Sequence, residues 1–156
     1  RLIFTLPNAD TDGRILIDRV MQFVAQQSNA CAHQSLGQLR YLSCIAQVDG
    51  VVGNSSSGLL EVPSFNKGTI NIGDRQRGRL QASSIINCEP DRESIGAALE
   101  RLYSADFQKS LNQVTNPYGE GGSSEKVVNV LKNVAIPDLI KKTFYDLPNN
   151  SDSKSN

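Results

Sequence analysis

Two stretches carry the chemistry of this chain. Gly53-Asn54-Ser55-Ser56-Ser57-Gly58-Leu59-Leu60-Glu61 is followed by Gly73-Asp74-Arg75-Gln76-Arg77-Gly78-Arg79, and short β-branched runs, Asp49-Gly50-Val51-Val52 and Thr69-Ile70-Asn71-Ile72, precede each. A strand that stops at Gly-Asn-Ser-Ser-Ser and restarts as a helix turns free backbone N–H groups, and the positive end of the helix dipole, toward any anion held there. The hydroxyls of Ser55, Ser56 and Ser57 suit the oxygens of a diphosphate. The same pattern also describes an ordinary serine cap in a glycine-rich turn, and spacing alone does not separate the two. The arginines and Glu61 tip the reading toward a nucleotide.

Glu61 falls one helical turn beyond the serines. It would repel phosphates if it faced them, so its useful work is to accept hydrogen bonds from ribose hydroxyls; a solvated first-turn glutamate is the plainer alternative. Pro63 removes an N–H early and predicts a short helix. Arg75, Arg77 and Arg79 alternate, which in an extended segment places them on one side with charges that cannot be lost. One is expected to reach the anion and at least one to be solvated surface. Asn8 and Asp10 stand between a strand and a helix, where turn-forming and capping compete with a contact from Asn8 to ligand. His33, the only histidine, reads as structural or surface. Apart from Glu61 and Asp10, no paired carboxylates, Ser-His-Asp set or metal-ligand cluster assemble, so no metal, cofactor or complete catalytic apparatus is expected.

These groups must be held by a domain of ordinary size. The chain has 156 residues, with 16 basic and 16 acidic side chains, so no overall field draws it to nucleic acid or to a membrane surface. No aromatic residues interleave with the arginines, which argues further against nucleic-acid binding. Cys31, Cys44 and Cys88 lack metal or disulfide spacing and imply buried, reduced thiols and a cytoplasmic setting. No apolar run approaches a membrane span, no signal peptide is expected, and the opening at Arg1 without methionine reads as cut from something longer.

Periodicity predicts an α/β fold, a Rossmann-like parallel sheet with helices on both faces. Strands are expected at 2–6, 29–33, 49–52, 69–72 and 84–88. Helices are expected at 13–27 (inward Ile15, Ile17, Val20, Met21, Val24), 37–46 (Leu39, Leu42, Ile45, Ala46), 91–104 (Ile95, Ala98, Leu99, Leu102) and 124–132 (Val127, Val128, Val130, Leu131), with one more short helix over 137–145. Ligands of such sheets bind beyond the carboxyl ends of the strands, so the loops holding Asn8, Ser55 and Arg75, and the one before Leu39, are expected to share one edge. A nucleotide-binding domain over 1–133, an extension over 134–148 and a disordered tail over 149–156 complete the expected organisation.

Pro7-Asn8-Ala9-Asp10, Val51 to Gly58 with Glu61-Val62, Thr69 to Arg79, and Asn116-Pro117-Tyr118-Gly119-Glu120-Gly121-Gly122, in this order, resemble the C-terminal half of the UDP-N-acetylglucosamine 2-epimerases, within them the hydrolysing branch. The resemblance runs to about residue 133. It implies one of the two Rossmann-type domains of a GT-B fold, closing on UDP-GlcNAc with a missing N-terminal domain and assembling as a homo-oligomer. It further implies that Asn8 contacts the nucleotide-sugar, the Leu36 main chain lines the uracil, Ser55 and Ser56 hold the diphosphate, Glu61 takes the ribose hydroxyls and Arg75 lies near the phosphates. Reaction in such enzymes is proposed to proceed by proton abstraction at C2 and anti elimination of UDP, then addition of water to give N-acetylmannosamine, at the head of sialic-acid synthesis. The acid and base carboxylates come largely from the N-terminal domain, so this part supplies recognition and leaving-group stabilisation. A non-hydrolysing epimerase, another GT-B enzyme half and a stand-alone UDP-sugar-binding module are the competing readings.

Overall fold

The computed structural model describes residues 1–7 and 13–134. Arg1–Gly119 form one compact unit, and a second begins at Glu120. In the first, β1 (Leu2–Thr5) pairs in parallel with β2 (Ala30–His33), and α1 (Gly13–Gln26) connects them. After α2 (Gly37–Gln47), β3 (Gly50–Gly53), β4 (Gly68–Ile72) and β5 (Ile85–Cys88) form a parallel sheet in that order. Between β3 and β4 lie a single helical turn, α3 (Ser57–Leu60), and a 3-10 turn, Val62–Phe65. Beyond β5 run α4 (Arg92–Tyr103) and α5 (Ala105–Ser110). The second unit carries α6 (Ser123–Asn133).

Parallel strands joined by helices are the expected α/β, Rossmann-like class. The expected single sheet is not formed: among the described residues the strands divide into β1-β2 and β3-β4-β5, with no ladder between them. The core sits against β4 and β5, where Ile70, Ile86, Ala98, Leu102, Phe107 and Leu111 close over one another. β4 reads Gly-Thr-Ile-Asn-Ile and is buried along nearly its whole length, as a central parallel strand should be. α4 starts where Asp91 accepts hydrogen bonds from the Ser94 amide (2.8 Å) and hydroxyl (2.7 Å), a side-chain cap that fixes its first turn.

Elsewhere the expected inward positions are only partly covered. On α1, Ile17, Val20 and Val24 are half-buried, whereas Ile15 and Met21 face solvent; Phe23 is largely exposed and meets Phe4 edge-on at 5.8 Å. On α2, Ile45 is buried, but Ala46 is exposed and Leu39 is 81% exposed, because the helix buries the Tyr41-Leu42-Ile45 side instead. Leu99 of α4 lies at the margin of its buried face, and Val127, Val128, Val130 and Leu131 of α6 are all exposed. β3 is only half-buried, with Val52 50% exposed, contrary to the expected buried strand. The expected helix over 137–145 and the tail lie outside the described residues.

Candidate functional site

The serine loop leaves β3 and the arginine loop leaves β4, so neighbouring parallel strands deliver both at their carboxyl ends. They meet at Asn54. Gln76 donates from Nε2 to the Asn54 carbonyl (2.7 Å), and Arg75 donates from Nη1 to the same oxygen and to Asn54 Oδ1 (3.4 Å each). Gln76 is buried, while Arg75 remains exposed, so the first ties the loops together and the second holds its charge beside the serines. The arginine segment is not extended. Arg77 N–H bonds Asp74 O and Arg79 N–H bonds Gln76 O, with Gly73 and Gly78 at positive φ, which makes successive turns. The expected one-sided row of arginines is therefore absent, and Arg75 alone of the three reaches the serine loop through a described hydrogen bond.

Within the serine loop, the amides of Gly58 and Leu59 are consumed by the carbonyls of Ser55 and Ser56. Among the described residues, the N–H groups of Ser55 and Ser56 donate to nothing, which leaves them for a ligand oxygen. Pro63 does cut the helix short: α3 has 4 residues, so its dipole contributes little and the amides and Arg75 carry the positive potential.

Ser57 departs from expectation. Its hydroxyl donates to Glu61 Oε2 rather than standing ready for phosphate, and it accepts from the Tyr41 hydroxyl at 2.6 Å. Because an ionised carboxylate can only accept, the order of donation is Tyr41 to Ser57 to Glu61. Among the described residues Glu61 Oε1 has no partner, so one carboxylate oxygen is fixed and the other is open to a hydroxyl. Two further residues hold this segment. Asn116 is buried and donates from Nδ2 to Leu60 O (2.8 Å) and Ser64 Oγ (2.7 Å), bracketing Glu61, while its Oδ1 accepts from Tyr118 N–H (3.0 Å). Thr69 on β4 donates from Oγ1 to Gly58 O at 2.9 Å.

Sequence reasoning missed Tyr41, Gln76 and Asn116 as supports. Tyr41 occurs on an amphipathic helix with no local signal, whereas an Asn-Pro-Tyr-Gly turn was a visible one. Leu36 precedes α2 and is half-buried, and no described contact links it to the serine loop. Asn8 and Asp10 lie outside the described residues. His33 is exposed at the end of β2. The three cysteines are half-buried and free; burial, then the charges of Asp91 and Glu89, push the Cys88 thiol up. Among the described residues no group of three potential metal ligands occurs, and no helix is long and apolar enough to cross a membrane. A separate cavity of about 950 Å³ lies against β5 and α4, lined in part by Asn71, Asp74, Arg77, Asn87 and Arg101, and excludes Ser55, Ser56, Glu61 and Arg75.

The sequence model of the UDP-N-acetylglucosamine 2-epimerase family matches residues 1–132. The chain belongs to that family. It is 40% identical over 149 residues to the GDP/UDP-N,N'-diacetylbacillosamine 2-epimerase (hydrolyzing) of Campylobacter jejuni, covering 94% of this chain and 38% of that protein. It is 34% identical over 152 residues to the polysialic acid biosynthesis protein P7 of Escherichia coli, covering 94% and 37%. A UDP-N,N'-diacetylbacillosamine 2-epimerase (hydrolyzing) of Legionella pneumophila is 27% identical over 140 residues, covering 90% and 36%. The chain thus spans little more than a third of the length of these curated relatives. Its α/β, Rossmann-like arrangement accords with a GT-B-like family.

Proposed function

We propose that this chain is the nucleotide-binding half of a hydrolysing UDP-N-acetylglucosamine 2-epimerase. The whole cytoplasmic protein, assembled as a homo-oligomer with an N-terminal domain facing this one, would convert UDP-GlcNAc and water to N-acetylmannosamine and UDP for sialic-acid synthesis. The observation that carries this reading is the Glu61 carboxylate, fixed through one oxygen and with the other open among the described residues, set a helical turn from two serine amides that have no partner among those residues and from the tethered Arg75. Ser55 and Ser56 hold the diphosphate, Arg75 adds charge to it, and Glu61 accepts from the ribose. Asn8 and the Leu36 main chain complete the contacts to the sugar and the uracil. The binding groups that meet UDP in the ground state also neutralise the charge that grows on it as it leaves, the electrostatic part of catalysis.

The names of the Campylobacter and Legionella relatives favour a second reading of the sugar, UDP-N,N'-diacetylbacillosamine, with the same nucleotide contacts. Calorimetric titration of the full-length protein with UDP, with UMP and CMP as controls, tests the site. Charge-assisted hydrogen bonds are worth about 1.5–3 kcal/mol, so Glu61→Gln and Arg75→Ala should each weaken UDP roughly ten- to a hundredfold with the fold intact. Unchanged affinity in both variants rejects the assignment. Turnover of UDP-GlcNAc against UDP-N,N'-diacetylbacillosamine then chooses between the sugars.

A further inference from the structure

The donation from Tyr41 through Ser57 to Glu61 joins two elements that the sequence keeps apart. Tyr41 lies on α2, and its hydroxyl crosses 16 positions of chain to reach Ser57, the first residue of α3. Serine has one proton to give. That proton goes to Glu61 Oε2, so Ser57 holds the carboxylate only while its hydroxyl is not turned elsewhere. Competing acceptors are close to any serine at a helix start, because such a hydroxyl can also bond the carbonyls three or four residues back. A hydroxyl that accepts a hydrogen bond becomes the better donor, since each bond in a chain polarises the next. Tyr41 thus strengthens the hold on Glu61 from outside the serine and arginine loops, and among the described residues its hydroxyl bonds Ser57 alone. The backbone on either side of Glu61 is already clasped by Asn116, so the freedom left to this glutamate is that of its side-chain rotamers. Among the described residues, Ser57 is what restrains them.

We infer that Tyr41 is a positioning residue for Glu61. It commits the Ser57 proton to Oε2 and leaves Oε1 turned out for a vicinal diol, so the preference for a ribose over a sugar without those hydroxyls depends on a tyrosine that acts through Ser57. The inference rests on the reading of Glu61 as the acceptor for the ribose. Tyr41 also lies one helical turn past Gly37, in the helix whose cap is Leu36. α2 therefore carries the proposed uracil contact at its start and the support of the ribose acceptor one turn later, which ties recognition of the base to recognition of the sugar beside it.

The test is calorimetric titration of the full-length protein with UDP and with 2',3'-dideoxy-UDP, which lacks both ribose hydroxyls. Wild type is compared with Tyr41→Phe, Ser57→Ala, the double variant of these two, and Glu61→Gln. Phenylalanine keeps the half-buried ring and removes only the donor. Tyr41→Phe should weaken UDP about two- to tenfold, the net worth of one hydrogen bond, and leave 2',3'-dideoxy-UDP unchanged. In the Ser57→Ala background the same change should have almost no further effect. Equal losses for both nucleotides, no loss for UDP, or the same loss with and without Ser57 each overturn the inference, because Tyr41 would then act by packing or by another path. Glu61→Gln separates this outcome from the reading beneath it. If that variant narrows the preference for UDP over the dideoxy analogue and Tyr41→Phe does not, the role of Tyr41 alone fails. If Glu61→Gln leaves the preference at its wild-type value, the ribose reading fails and the inference falls with it.

Discussion

The packing of α3 on β4 makes a prediction that needs no ligand. A Cβ added at Gly58 would stand 2.7 Å from Thr69 Cγ2, inside contact distance, while Thr69 Oγ1 would be 3.6 Å away. Thr69 is 2% exposed and its hydroxyl is engaged with Gly58 O, so its methyl cannot rotate clear without breaking that bond. Overpacking of this kind costs about 1–3 kcal/mol, and the better helix propensity of alanine returns at most about 1, so Gly58→Ala should destabilise by about 1–2 kcal/mol. Thr69→Ser deletes the offending methyl and keeps the hydroxyl; alone it should cost about 1 kcal/mol for the lost buried carbon. Combined, the clash has no partner, and the double variant should be no less stable than Thr69→Ser. The cycle therefore has a coupling of about 1–2 kcal/mol, read as a recovery of roughly 3–6 °C in the thermal midpoint. Additive losses would refute the reasoning, since the two sites would then not be in contact through that methyl.

Further predictions concern the polar supports. Ser57→Ala frees the Glu61 carboxylate to sample other rotamers, which should weaken UDP by about three- to tenfold; in a Glu61→Gln background the same change should have a markedly smaller effect, and equal losses in both would mean that Ser57 meets the nucleotide itself. Asp91→Ala should lower the thermal midpoint, and Asp91→Asn, which keeps an acceptor for the Ser94 amide, should lower it less. The hydrogen bonds from Ser94 hold the Asp91 carboxyl below the usual carboxylate range, so its contribution is present above that range and lost as pH falls through the lowered folded value. The gap between wild type and Asp91→Ala should accordingly close in acid, as thermal melts at a series of pH values would show.

Sequence made some of this visible and hid the rest for physical reasons. β4 was legible because Thr-Ile-Asn-Ile is buried on both faces and so reads as an unbroken run, and the brevity of α3 followed from Pro63. That Glu61 lies beside the serines was legible from its offset, and it is bonded to Ser57. Tyr41 was not, because a helix pattern gives a facing side but not what the side meets, and the covered side of α2 turned out to leave Leu39 in solvent. Ser57 was read as a phosphate donor because a sequence shows which hydroxyls are near an anion site, not which carboxylate claims them first. The arginine row failed since alternation has meaning only in extended backbone, and Gly73 and Gly78 curl the segment into turns. The division of the sheet was hidden because strand periodicity is blind to neighbours.

The clasp from Asn116 to Leu60 and Ser64 spans 56 and 52 positions of chain. A nascent polypeptide leaving the ribosome would thus have the strands that carry the serine and arginine loops in hand well before the residue that brackets Glu61 has been translated. Settling of the Glu61 segment would come late and all at once, when Asn116 emerges, and a product truncated just before it would retain the serines and Arg75 while lacking the clasp on either side of that carboxylate.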